Sequence, residues 1–213
     1  MATPKELCYE KRGAVLVKNL KSRHFDAYYC ANREEALKKA LELIPEGATV
    51  GWGGAMSAQQ IGLLDALNSG NYHALDREKC QTSEEREQIM RDCLFADVFL
   101  TGANGLSMDG EMVNIDGAGN RVASTLFGHK KVYFVIGRNK IAPTYDEALW
   151  RARNIAAPKN AQRLKRNTPC AVNADRCYNC KSPERICRGM VILMGPTMNM
   201  PTEVILVNEE LGC

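Results

Sequence analysis

The sequence predicts a single α/β domain of three layers, residues 1–213, built on a mostly parallel sheet. Three observations carry this prediction. Strand-like runs alternate with amphipathic helical runs along the whole chain. DVFLT (97–101) and KVYFVIG (131–137) are apolar almost throughout, as strands covered on both faces must be. The turns between elements are short and rich in Gly, Asn and Asp, so successive strands are joined through helices that cover the sheet.

Local signals define each element in turn. Residues 1–45 form a largely helical N-terminal segment, interrupted by the short strand DAYYC (26–30). Asn32 followed by Glu35 reads as a capping box that opens the helix REEALKKALELI, and Pro45, Glu46 and Gly47 stop it. A strand at ATVGW (48–52) enters a glycine-rich turn and a helix over SAQQIGLLDAL (57–67), closed by Asn68, Ser69 and Gly70. The pattern repeats with YHAL (72–75), a charged helix near 83–95, and DVFLT. GEMVNI (110–115) is a further strand, NRVASTLF (120–127) a helix and KVYFVIG the strongest strand signal. TYDEALWRARNIA (144–156) is helical, and either ends at Pro158 or continues past it as a new turn. After a cysteine-rich loop at 169–188, GMVILMG (189–195) and TEVILVN (202–208) supply two last strands.

With 45% hydrophobic and 25% charged residues, the composition excludes a disordered tail, a collagen-like fibre and a small disulfide scaffold. No apolar run approaches the roughly 18 residues of a spanning helix. The opening MATPKELCYEKRG has no leader-like apolar stretch, so the cytoplasm is the expected address and no membrane partner is expected. Net charge is only +3, yet residues 151–188 hold ten Lys/Arg against Asp175 and Glu184, leaving the remainder at −5. These cations either offset thiolates and their metal or contact phosphates; the first reading is preferred, and nucleic acid is disfavoured as a partner. An oligomer is compatible with everything in the composition.

Four segments could carry chemistry. GWGGAMS (51–57) offers Gly53, Gly54 and Ser57 between a strand and a helix, either as an anion-receiving turn or as a plain tight turn with Ser57 as N-cap. It matches neither a P-loop nor a dinucleotide fingerprint. TGANGLSMDGEMVNIDGAGNRVAS (101–124) follows a buried strand, at the sheet edge where α/β proteins bind ligands. Thr101, Gly102, Asn104, Asn114, Asp116 and Asn120 could position a small polar substrate there, with Arg121 as a two-pronged clamp, while Asp109 is mainly a turn residue and Asp116–Gly117 could alternatively be a hairpin turn. Asn120 could alternatively be a helix cap. Lys140, in GRNKIAP (137–143), would present an ammonium at the same edge or be a solvated loop lysine.

The fourth segment carries the sharpest signal. Cys170, Cys177, Cys180 and Cys187 have the spacing C-x6-C-x2-C-x6-C, within a chain of nine cysteines expected to stay reduced. Four soft thiolates in one short loop suit a metal centre; with only one C-x2-C knuckle and long arms, a [4Fe-4S] cluster is favoured over zinc. His24, His73 and His129 assemble no triad, so hydrolase chemistry is not indicated. Met190, Met194, Met198 and Met200 are expected in the core, and Trp52 as a packed aromatic.

TGANGLSMDGEMVNIDGAGNRVAS, GRNKI and the run RARNIAAPKNAQRL leading into the cysteine loop together resemble the LUD-domain family of lactate utilisation proteins, over about residues 51–195. The resemblance implies the fold shared by the NagB/RpiA and CoA-transferase-like group. GANGLSMDGEMVNIDG is also similar to the GAD…DGdvvNKiG segment of methylthioribose-1-phosphate isomerases and related translation-factor subunits. The catalytic Asp of that segment is Asn104 here, and its lysine is replaced around Asp116, so the pocket is kept while isomerase acid–base chemistry is lost. The family likeness implies a role in oxidising L-lactate or a related 2-hydroxy acid alongside iron–sulfur and other redox partner proteins. It does not imply which reaction this chain performs, and no flavin or nicotinamide motif is present.

Overall fold

A computed structural model describes residues 4–213. Its centre is a six-stranded sheet of β1 (Asp26–Cys30), β2 (Thr49–Trp52), β3 (His73–Leu75), β4 (Val98–Thr101), β7 (Lys131–Gly137) and β10 (Thr202–Val207). The order is β1-β10-β7-β4-β2-β3 and every neighbouring pair is parallel. All six residues of β10 are buried, as a strand in the middle of a parallel sheet requires.

Alternation along the strands divides the core. On one face Tyr133, Val135, Val50, Leu100 and Ile205 pack under Ala36 and Ala40 of α2 (Arg33–Leu43), Ala58 of α3 (Met56–Gln60), and Leu63 and Leu67 of α4 (Leu63–Ser69). On the other, Val132, Phe134, Ile136 and Phe99 meet Leu16 and Leu20 of α1 (Pro4–Ser22). A Cβ on Gly13 would lie 2.3 Å from the Tyr29 ring, so the glycine lets α1 settle directly onto β1.

The rest of that second face is covered by a second sheet rather than by helices. It contains β5 (Gly105–Ser107), β6 (Met112–Asp116), β8 (Ile141–Ala142) and β9 (Gly189–Leu193), in the order β8-β5-β6-β9. Leu106, Met112 and Leu193 point into the main core, and Ala148 and Ala152 back the small sheet from outside. The expectation that 189–195 joins the central sheet is therefore corrected: β9 runs antiparallel to β6. Of its five residues only Leu193 is buried, which suits an edge strand and not a central one.

Four helices depart from their expected outline, among them the one expected over 120–127, which is Asn120–Ser124. The one expected over 57–67 breaks at Gly62, whose φ of +80° starts α4 afresh. The one expected over 144–156 is α7 (Tyr145–Arg151), then one π turn (Ala152–Ala156), then α8 (Ala157–Arg163), so the helical path continues past Pro158, which lies directly after the π turn. The charged helix near 83–95 is α5 (Ser83–Asp92), capped by Thr82 and Glu85. Asn32 caps α2 by accepting from the Glu35 N–H at 2.9 Å. Trp52 is buried, but Met190, Met194 and Met198 are exposed and only Met200 is in the core, since these residues fall on an edge strand and its following turn. No helix among the described residues is long and apolar enough to cross a membrane.

Candidate functional site

β7, β4 and β2 are adjacent in the sheet, and their carboxyl ends feed the three non-cysteine segments singled out above into one place. A cavity of about 620 Å³ opens there, lined by Gly54, Ser57, Gly102, Asn104, Asn120, Arg121 and Lys140. The cysteine loop forms another wall, through Arg185, Ile186 and Cys187. Gly53 and Thr101 do not line it. Thr101 is fully buried, and Gly53 lies behind Arg121, where a Cβ would sit 2.6 Å from the Arg121 side chain. The lining is strongly cationic: Arg77, Arg86, Arg163, Arg166 and Arg188 join Arg121, Lys140 and Arg185, against Asp116 and Glu184.

Arg121 does not act as the expected clamp, because its donors are spent on the protein. Nη1 donates to Asn114 Oδ1 (2.6 Å) and to the Gly102 carbonyl (3.3 Å); Nη2 donates to the Ile115 carbonyl (2.6 Å) and Asn104 Oδ1 (3.1 Å). Asp116 stands 4.0 Å from its Nε. Burial lowers the Arg121 pKa and Asp116 partly restores it. The guanidinium thus pins the loop that follows β4 to strand β6 (Met112–Asp116). Asn114 belongs to this support: it is fully buried, and it is not part of the cavity lining.

Asn104 is held on three sides. Its Oδ1 accepts from the Ile115 N–H (2.7 Å) as well as from Arg121, and its carbonyl accepts from Arg151. With Oδ1 occupied, the amide Nδ2 is the group left to meet a ligand. Asn120 begins α6 (Asn120–Ser124) but does not cap it: Asp116 Oδ2 accepts from the Val122 N–H at 3.1 Å instead. Asp109 lies in the β5–β6 turn, where Gly110 has φ +96°.

Lys140 is buried, not solvated. Burial, reinforced by Arg151 and Arg121, brings its pKa down to about 8, with Cys213 opposing. Ser57 is not an N-cap; it lies inside α3, and its Oγ is buried without a partner. A Cβ on Gly212 would be 2.7 Å from Lys140 Nζ and 3.0 Å from Ser57 Oγ, so both polar groups converge on one small space.

Two contributors escaped sequence reasoning. Arg151 donates to the Asn139 and Asn104 carbonyls from the buried face of α7; its place beside Ala148 and Ala152 at helical spacing was a readable signal. Residues 208–213 fold back over the site, with Leu211 N–H donating to Asn139 Oδ1 and Gly212 N–H to Gln60 Oε1, which brings Cys213 to the cavity wall. Nothing local in the sequence signals that return.

The cysteine loop is organised by arginine. Arg185 donates to the carbonyls of Cys187 and Cys180 (2.7 Å each) and to Asn179 Oδ1. The Asn179 N–H lies 3.4 Å from Cys177 Sγ, and the Cys177 N–H donates to Asn154 Oδ1. Burial, together with Cys177, Cys170 and Cys180 and opposed by Arg185, pushes the Cys187 thiol up to about 11, so the four sulfurs share one neighbourhood. Among the described residues, no three or more His, Cys, Asp or Glu side chains are grouped as a site for a metal ion.

No curated protein matches the chain. A solved DUF162-family protein from Deinococcus radiodurans is similar in fold, with TM-score 0.54, 14% identity, and coverage of 93% of this chain and 97% of that one. Ribose 5-phosphate isomerase A from Neisseria gonorrhoeae aligns over 53% of this chain and 54% of its own at TM-score 0.34 and 16% identity. The model of the LUD domain matches residues 13–207, nearly the whole chain, and the protein therefore belongs to the LUD-domain family.

Proposed function

We propose that this protein is an iron–sulfur-binding component of the oxidation of L-lactate or a related 2-hydroxy acid, with the acid held in the cavity at the carboxyl ends of β2, β4 and β7. The observation that carries this reading is that one cavity is lined both by Lys140, Ser57 and Asn104 and by Cys187 of the cysteine loop. A small anion would find a cationic wall, an amide donor and a hydroxyl, and would lie beside the thiols.

The donor set suits a cluster. Cys170, Cys177, Cys180 and Cys187 are four soft ligands, the Asn179 N–H already points at one sulfur, and Arg185 fixes the backbone of two of the cysteines. When bound, a [4Fe-4S] cluster would supply one-electron transfer or, if one cysteine did not ligate, a Lewis-acidic iron. The chain's own residues would bind and orient the acid: Asn104 Nδ2 as donor, Lys140 as cation. Zinc is the alternative occupant and would make the loop structural.

The reading is tested on protein purified without oxygen, beside a Cys177→Ala/Cys180→Ala variant. About four irons and four sulfides per chain are expected, with broad visible absorption, both lost in the variant. One zinc and no colour would overturn the cluster and leave function to the cavity alone.

A further inference from the structure

We propose that Lys140 is a nucleophile that condenses with the carbonyl carbon of a small 2-oxo acid, in the space where its Nζ and Ser57 Oγ converge beside Gly102 and Gly212. The inference rests on the proposed use of the cavity for hydroxy acids, whose oxidation yields 2-oxo acids, and adds a covalent step to it.

Four features of the site support this role. Lys140 and Ser57 are 5% and 2% exposed, so neither is a surface group. Ser57 Oγ has no hydrogen-bond partner, and the groups acting on Lys140 are Arg151, Arg121 and Cys213. Both polar atoms face glycines. Besides the Gly212 position, a Cβ on Gly102 would lie 3.9 Å from Ser57 Oγ and 4.0 Å from Lys140 Nζ, which places both polar atoms side by side next to Gly102, and all three residues line the cavity. The lysine opens onto a cavity whose many arginines can receive a carboxylate. A lysine displaced by desolvation toward the neutral amine becomes a nucleophile.

The step balances without an oxidant. The neutral amine's lone pair forms the C–N bond while the carbonyl π pair moves to oxygen. One amine proton passes to that oxygen, with the Ser57 hydroxyl placed to relay it. The carbinolamine then expels the oxygen with the second amine proton as water, leaving a C=N bond to Lys140. The resulting imine, once protonated, is a stronger electron acceptor at that carbon than the parent ketone.

The experiment uses the full chain with pyruvate and sodium borohydride, followed by intact mass and peptide mapping. Binding of L-lactate and pyruvate is followed in parallel by thermal shift. The expected result is one reduced pyruvyl adduct per chain, on Lys140, with Ser57→Ala lowering the trapped fraction severalfold and Lys140→Gln abolishing it while retaining the wild-type visible spectrum. If pyruvate binds but borohydride leaves no adduct, or marks other lysines equally, the nucleophile proposal is overturned and the hydroxy-acid reading stands. If neither acid binds, both fall. Mapping the wild-type protein decides the matter even where a variant folds poorly.

Discussion

Two arginine-centred regions face each other across the cavity, and they are built differently. Arg121 is mostly buried and ties the loop after β4 to strand β6, so the floor of the site is anchored on the sheets beneath it. Arg185 makes a comparable set of bonds to carbonyls, but within a loop whose short helix α9 (Pro169–Asn173) buries no side chain and whose thiols are half-exposed. One wall is fixed by the fold. The other has no buried side chain of its own, so under the proposed reading a metal held by its sulfurs would be what stabilises it.

Removing the centre of either region sharpens this contrast. Arg121→Ala should have the largest effect on folding, about 3 kcal/mol by denaturant titration, because it removes the donors to the Gly102 and Ile115 carbonyls and to the buried Asn114 Oδ1 at once. Lysine should not rescue it, since an ammonium cannot reproduce the planar fork. Arg185→Ala should instead weaken metal retention by about tenfold in a chelator competition, with denaturant stability changed by less than about 1 kcal/mol. Chelating the metal should raise hydrogen exchange across 169–188 and leave the protection of β7 and β10 unchanged. Equal loss of protection in the strands would contradict the division.

The distinction also explains what was legible in the sequence. Buried parallel strands announce themselves by continuous apolar runs, so β4, β7 and β10 and the glycine-bearing turns after β2 and β4 could be read directly. The site residues Asn104 and Lys140 followed from their place just past strand ends. The second sheet was not legible, because β5 and β8 are three and two residues long and β9 has the apolar content of a core strand while lying on an edge. The role of Arg121 was also hidden: an arginine that clamps a ligand and one that clamps carbonyls look alike until the acceptors are known.

A smaller effect is expected with pH. The Lys140 pKa is depressed from 10.5 to about 8, so the folded state loses this proton before the unfolded state does. Two consequences follow. The stability cost of the buried charge is fully present below pH 8 and is relieved as pH rises from about 8 toward 10.5. Carboxylate binding should weaken severalfold through about pH 8 in the wild type, and Lys140→Arg should lose that inflection. Calorimetric titrations with L-lactate across this range check it. The smallest effect belongs to Ser57→Ala, which should change stability by less than about 0.5 kcal/mol because the hydroxyl has no partner to lose.

The central claim is that the sheet-edge pocket and the cysteine loop form one site. It is tested most directly by adding L-lactate or pyruvate to the reduced, anaerobically purified protein and recording the electron paramagnetic resonance of its cluster. The account predicts a cluster signal that changes when the acid binds and stops responding in Lys140→Gln. A cluster signal indifferent to an acid that demonstrably binds, or no cluster signal at all, would contradict it.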